Sequence, residues 1–139
     1  ELITNNKELP DWAYRYPVFY ASPTETPEGC CIGSIGPTTS KRMDAYVKTL
    51  LELSIFTVMI GKGERAPFVR EACKTYGGVY FAAPGGCSAI LAKNHVTNSK
   101  TIDWPELGME AVRLITIKDM PLLCVIDSTG NDFYTHVIY

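Results

Sequence analysis

Between Thr57 and Lys93 the sequence runs twice through one order: a short apolar run, a glycine turn, then a helical pattern. The first run, Thr57-Val58-Met59-Ile60, is β-branched and is broken by Gly61-Lys62-Gly63. A helix opens near Pro67, which suits a first helical position because its missing N–H would be unpaired there. Phe68, Ala72, Cys73 and Tyr76 supply its apolar stripe, and Gly77-Gly78 its stop. The second run, Val79-Tyr80-Phe81, leads through Pro84-Gly85-Gly86 into a short helix over Ile90 and Lys93. Strands alternating with helices in this way predict an α/β fold, with parallel strands in the middle of a sheet and helices covering it.

The flanks are less regular. Pro17-Val18-Phe19-Tyr20 predicts a strand, Ala21 to Gly29 an irregular connection, and Cys30 to Ile35 a second strand. Gly36-Pro37-Thr38-Thr39-Ser40-Lys41-Arg42-Met43 then precedes a helix on which Met43, Tyr46, Val47, Leu50 and Leu51 recur at helical spacing. One of Thr38, Thr39 and Ser40 is expected to cap that helix through its side chain. After Trp104, three strands are expected at Val112 to Ile117, Leu122 to Ile126 and Phe133 to Ile138, the last two joined by the turn Asp127-Ser128-Thr129-Gly130-Asn131-Asp132. At 139 residues this is one domain, 1–139.

Charge narrows the function. Thirteen Lys and Arg against fifteen Asp and Glu leave a net charge of −2 with no basic block, so neither nucleic acid nor an anionic membrane surface is a favoured partner. The longest apolar stretches fall far short of the roughly 20 residues of a membrane helix. The five cysteines form no C-x-x-C pair, which fits a reducing compartment, cytoplasm or organelle matrix, and buried thiols rather than ligands. The opening residues Glu1 to Lys7 lack the basic start and apolar run of a signal peptide.

A small anionic ligand is the better expectation. Ligands of open α/β sheets bind beyond the carboxyl ends of strands, and three such loops occur here: Gly36 to Arg42, Gly61 to Arg65 and Pro84 to Ser88. If their strands are neighbours, the loops line one mouth, where backbone N–H groups, Arg42 and Lys62 act on an anion with the same sign. Arg42 offers a planar fork for a carboxylate and Lys62 a point charge. Known phosphate loops do not fit: Gly61-Lys62 lacks the upstream glycine and the following Ser or Thr, and Gly61 to Ala66 ends in Ala where a dinucleotide loop needs Gly. His95 and His136 lack metal partners at suitable spacing, and Asp127 and Asp132 read as turn formers. For the hydroxyls the bland reading as a helix cap outweighs catalysis on residue chemistry alone.

G-P-T-T-S-K-R-M from Gly36, I-G-K-G-E-R from Ile60, G-G-V-Y-F from Gly77 with Gly85-Gly86 behind it, E-L-G-M-E-A from Glu106 and D-S-T-G-N-D from Asp127 run in order along the chain. Together, from about Pro17 to Phe133, they closely resemble the C-terminal domain, or β subunit, of the iron–sulfur hydro-lyases, class I fumarase and L-tartrate dehydratase. The resemblance implies a swivelling β/β/α domain that closes over a site shared with an N-terminal domain or α subunit. That partner would carry a [4Fe–4S] cluster on three cysteines, with one iron open as a Lewis acid; Cys30-Cys31 have the wrong spacing for such a motif.

Carried over by position, Thr38 resembles the hydroxyl placed at the substrate carbon that exchanges a proton, acting with an Asp of the partner. Arg42 and Lys62, with Thr39 and Gly36, resemble the residues that bind a C4 dicarboxylate. The implied activity is reversible hydration of fumarate to L-malate, absent from the isolated chain, in a dimer or heterotetramer. L-tartrate dehydration and a non-catalytic dicarboxylate-binding module are the alternatives. Two departures stand out. Glu64 occupies the position after G-K-G where relatives carry Asn, so it must turn away or pair with Arg65. Nothing before Pro17 resembles the family's opening Arg-Asp segment, so a chain truncated at its N-terminus is expected.

Overall fold

A computed structural model describes residues 9–136. The predicted alternation is present: β2 (Val58–Gly61), α3 (Pro67–Tyr76), β3 (Val79–Ala82) and α4 (Ser88–His95) follow one another. Pro67 stands in the first turn of α3, and Gly77 ends that helix in the left-handed conformation (φ 77°) that an L side chain rarely adopts. Ahead of this unit lie α1 (Trp12–Arg15), β1 (Val18–Phe19), a 3₁₀ turn (Ser40–Met43) and α2 (Asp44–Glu52). Behind it come β4 (Val96–Asp103), a 3₁₀ segment (Pro105–Glu110), β5 (Val112–Ile117), β6 (Leu123–Ile126) and α5 (Phe133–His136).

The central sheet has the order β1-β2-β3-β6. β1, β2 and β3 are parallel neighbours, and β6 lies antiparallel on β3. β4 and β5 form a separate antiparallel pair. The fold is therefore mixed α/β, with one mainly parallel sheet and one antiparallel ribbon.

Side chains alternate across β1 and separate two cores. Val18 and Tyr20 pack with Val47 and Leu51 of α2, Met59 of β2, Val69, Ala72 and Cys73 of α3 and Tyr80 of β3. Phe19 and Ala21 pack on the other cluster, with Ile32, Ile35, Ala92 and Val96. Of the stripes expected on α2 and α3, Val47, Leu51, Ala72 and Cys73 are buried, whereas Tyr46 and Phe68 are exposed. Val69, one position on from Phe68, takes the inward place on α3.

Several expectations are corrected. Of the five cysteines expected as buried thiols, Cys73 is buried and Cys87 half-buried, while Cys30, Cys31 and Cys124 are exposed. Cys30 to Ile35 is turns and bends, not a strand, because Ile32 and Ile35 reach the core from an irregular loop whose Thr24 N–H bonds Ser34 O. Phe133 to His136 is helical, and Val137 and Ile138 lie outside the described residues. β4 was not expected: its polar outer residues, including Thr97, Asn98 and Lys100, hide the strand pattern. Asp127 forms the expected turn, accepting hydrogen bonds from Thr129 N and Oγ1, Asn131 N and Asn131 Nδ2. No helix of the described residues is long and apolar enough to cross a membrane. The reading of Glu1 to Lys7 and the side chain of His136 lie outside the described parts, while His95 Nδ1 stands 3.1 Å from Lys118 O.

Candidate functional site

Three segments meet beyond the carboxyl ends of the three parallel strands. Tyr20, the first residue past β1, accepts hydrogen bonds from Thr38 N (2.8 Å) and Thr38 Oγ1 (3.0 Å). Thr39 pairs with Lys62, just past β2, in an isolated parallel bridge. Ser40 N donates to Lys62 O, and Lys62 N donates to Ser40 Oγ, each at 3.1 Å. The third segment closes on the other two: Ile35 N donates to Ser88 O, and the side chain of Lys62 lies over Gly85. A β-carbon added at Gly85 would stand 3.3 Å from Lys62 Cδ and 3.7 Å from Nζ.

Arg42 Nη2 donates to Thr38 Oγ1 at 3.1 Å, so guanidinium and hydroxyl form one unit. Lys62 joins them through the main chain of Thr39 and Ser40. Thr39 is exposed, and its contribution to this geometry is its backbone bridge. Gly36 is buried against Ser88, whose side chain occupies the space a β-carbon would need. Its size lets the start of α4 approach the segment.

None of the three hydroxyls caps a helix. The 3₁₀ turn and α2 both lack a side-chain cap, because Thr38 Oγ1 is engaged by Tyr20 and Arg42 and Ser40 Oγ by the 61–63 turn and Tyr80. Glu64 is exposed, and the pairing with Arg65 considered for it does not occur. Arg65 instead turns inward onto Asp44, Nε to Oδ1 at 2.6 Å.

This inward pair is the part the sequence did not disclose. Arg65 and Asp44 are 3% and 5% exposed, although ionised residues are rarely so deep unless paired. Asp44 Oδ2 also accepts Ala66 N at 2.7 Å, tying the start of α2 to the start of α3. The guanidinium lies over the rings of Tyr80 (4.7 Å) and Tyr20 (5.5 Å), a cation–π arrangement. Burial raises the pKa of both phenols, partly opposed by Arg65, so they stay protonated. Tyr80 Oη lies 3.1 Å from Ser40 Oγ and 3.0 Å from Gly63 O.

One signal for this layer is present in the chain: Gly61 closes a strand, a position that often marks close backbone approach. Here a β-carbon would collide with Ser40 Oγ and stand 3.1 Å from the Tyr20 ring.

Chemically, the rim offers a guanidinium, an ammonium and a hydroxyl, which suits a small anion with carboxylate groups. Among the described residues, no three His, Cys, Asp or Glu side chains stand together in a way that could hold a metal ion, so a cluster does not fit on them. An apolar cavity of about 430 Å³ lies elsewhere, between the sheet and the β4–β5 ribbon. It is lined by residues such as Trp12, Phe19, Ile60 and Leu114, and by none of Gly36, Thr38, Thr39, Arg42 and Lys62.

The family model described as Fumarase C-terminus matches residues 1–137, so the similarity extends ahead of Pro17, where no resemblance was expected. The chain is 40% identical to the aerobic class I fumarate hydratase of Escherichia coli strain K12 over 137 residues, 99% of this chain and 25% of that protein. Fumarate hydratase 2 of Leishmania major is 41% identical over 138 residues, 99% of this chain and 24% of that protein. A putative L(+)-tartrate dehydratase subunit beta of Methanocaldococcus jannaschii is 35% identical over 143 residues, 99% of this chain and 72% of that subunit. The chain thus spans about a quarter of the length of the fumarate hydratases it matches.

Proposed function

Because the chain belongs to the Fumarase C-terminus family, we propose that it is the C-terminal, β-type part of a class I fumarate hydratase. Its task is to grip the C4 dicarboxylate during reversible hydration of fumarate to L-malate. The observation that carries this reading is the joining of Thr38, Arg42 and Lys62 by direct bonds and one backbone bridge. Arg42 takes a carboxylate in its fork and Lys62 adds a second cation, holding the substrate while charge builds beside the reacting carbon.

Thr38 sits at that carbon in this reading. Its proton is directed to Tyr20 O and one lone pair to Arg42, so the hydroxyl oxygen is fixed and keeps a second lone pair free. A threonine hydroxyl is a poor base, and the neighbours bonded to it here are a carbonyl and a cation. As the resemblance implies, its activating carboxylate is an Asp of a cluster-bearing N-terminal domain or α subunit, which also holds the [4Fe–4S] cluster. When bound, that cluster supplies Lewis acidity to the substrate hydroxyl and carboxylate. The domain swivels to close the shared site, within a dimer or heterotetramer of the cytoplasm or an organelle matrix.

The similarity to a tartrate dehydratase β subunit supports a second reading, dehydration of L-tartrate through the same grip. The decisive experiment measures hydratase activity of this chain with and without the anaerobically reconstituted cluster-bearing part, offering L-malate and L-tartrate in parallel. Activity only in combination, and on malate, is expected. Full activity of the chain alone refutes the shared site, and turnover of tartrate only selects the second reading. Calorimetry with malate should show binding weakened at least about tenfold by Arg42→Met and by Lys62→Met, as expected for a lost charge-assisted hydrogen bond.

A further inference from the structure

We propose that Tyr80, acting through Ser40, is a positioning residue that sets Lys62 against the Thr38–Arg42 unit and so gives the site its preference for two carboxylates over one. This rests on the dicarboxylate reading above and deepens it.

Ser40 is the residue shared by the two arms of the site. It belongs to the 3₁₀ turn that carries Arg42, two residues after Thr38. It also clamps the main chain of Lys62 on both sides, giving its N–H to Lys62 O and receiving Lys62 N–H on Oγ. The Ser40 side chain is wholly buried, so its hydroxyl needs an acceptor for its own proton.

Tyr80 supplies it. Tyr80 has one hydroxyl proton and two oxygens within reach, Ser40 Oγ at 3.1 Å and Gly63 O at 3.0 Å. A carbonyl only accepts, so the Tyr80 proton satisfies Gly63 O, and the Ser40 proton takes Tyr80 Oη, the nearer of its two acceptors, over Thr38 O. The result is one directed chain: Lys62 N–H to Ser40 Oγ, Ser40 Oγ–H to Tyr80 Oη, Tyr80 Oη–H to Gly63 O. It holds the peptide before Lys62 and the one after Gly63, and Ser40 N–H holds Lys62 O in the peptide between them.

The anchor is rigid. Tyr80 is 0% exposed in the middle of the core, with the guanidinium of Arg65 over its ring. Gly61 leaves the room that Ser40 Oγ occupies. The phenol stays protonated, which the chain of donors requires. Lys62 itself has a flexible stem, so the direction of its ammonium depends on a fixed backbone and on the contact with Gly85. Loosening the backbone would weaken the grip on a second carboxylate and leave binding of a single carboxylate by Arg42 in place.

The test uses the native protein that contains this chain, together with any partner it has. Calorimetry measures succinate, with two carboxylates, and butyrate, with one. In wild type, succinate should bind the more tightly. Tyr80→Phe should weaken succinate about tenfold, the effect of losing one buried hydrogen bond in the chain, with butyrate changed less than about twofold. Ser40→Ala removes the same link from the other end and should act alike, and the double variant should be no worse than Ser40→Ala alone.

Val69→Ala, in the core away from this chain of bonds, controls for general loosening and should keep the preference. Equal weakening of both ligands by Tyr80→Phe and Ser40→Ala, or an unchanged succinate affinity in both, overturns the positioning role and leaves the dicarboxylate reading intact. A wild type with no preference for succinate overturns the dicarboxylate reading, and this proposal with it.

Discussion

Replacing Asp44 by Ala should destabilise the domain far more than a typical loss of an ion pair. Arg65 and Asp44 have side chains 0% and 6% exposed and meet at 2.6 Å, so solvent does not screen the partner left behind. With Asp44 gone, the guanidinium faces Met59 Sδ at 3.9 Å and the rings of Tyr20 and Tyr80 in place of its carboxylate, and its Nη2 already lacks a hydrogen-bond partner among the described residues. Breaking a buried pair from one side costs about 3–5 kcal/mol. Ala66 N–H also loses its acceptor, within the range of about 1–3 kcal/mol for an orphaned buried donor if water does not replace it. Taking about 4 kcal/mol as the net loss and a urea slope of about 2 kcal/mol per M, the midpoint falls by about 2 M. That is a large share of the roughly 5–15 kcal/mol a domain possesses.

Urea unfolding of the 139-residue chain, followed by far-ultraviolet circular dichroism, reads this directly. Removing both charges, Asp44→Ala with Arg65→Met, should recover much of the loss, because no unpaired charge remains buried. A loss below about 1 kcal/mol for Asp44→Ala, or a double variant no more stable than that single one, refutes the cost assigned to leaving the Arg65 guanidinium buried without its partner.

Gly61→Ala should cost about 1–3 kcal/mol by overpacking, since the new methyl meets Ser40 Oγ and the Tyr20 ring; thermal unfolding checks it, and an unchanged midpoint would contradict the close approach. Cys73 is buried with its thiol pushed up to about 11, chiefly by burial, so iodoacetamide at pH 8 should label exposed Cys30 and Cys31 and spare Cys73. A thiol neutral in the fold contributes its stability fully below the ordinary value of 9.0 and loses it as pH rises through about 11, and mass spectrometry showing Cys73 labelled as fast as Cys30 would refute its burial. Hydrogen bonds from Asn131, then Thr129, hold the Asp127 carboxyl well below the usual carboxylate range. Its contribution is therefore present above the unfolded value of about 4 and lost on acidification through the depressed folded value. The gap in melting temperature between wild type and Asp127→Ala should narrow from pH 6 to pH 2, and a constant gap would refute it.

The middle of the fold was legible because local rules and the tertiary result agree there. Pro67, the apolar spacing after it and Gly77 each favour the same helix, and Val58 to Ile60 and Val79 to Phe81 are strands by composition. The loop that bears Lys62 followed from the same alternation, since it leaves the carboxyl end of β2; the loop that bears Thr38 and Arg42 follows an irregular segment instead and is brought beside it by the bonds of Thr38 to Tyr20, just past β1. Local chemistry misled where side chains serve distant partners. Thr38 and Ser40 look like caps, but Tyr20 and Tyr80 take their hydroxyls; Val96 to Asp103 looks polar, yet pairs with β5 to form a ribbon.

The chain alone determined the order of strands and helices from Val58 to His95 and which loops carry Thr38, Arg42 and Lys62, because backbone geometry and periodicity act over a few neighbours. Only the tertiary structure decided that Asp44 meets Arg65 across 21 positions and Ser40 meets Tyr80 across 40. Such pairs are stable only when packing has already removed water from both partners, and that depends on the whole assembled core rather than on any local segment.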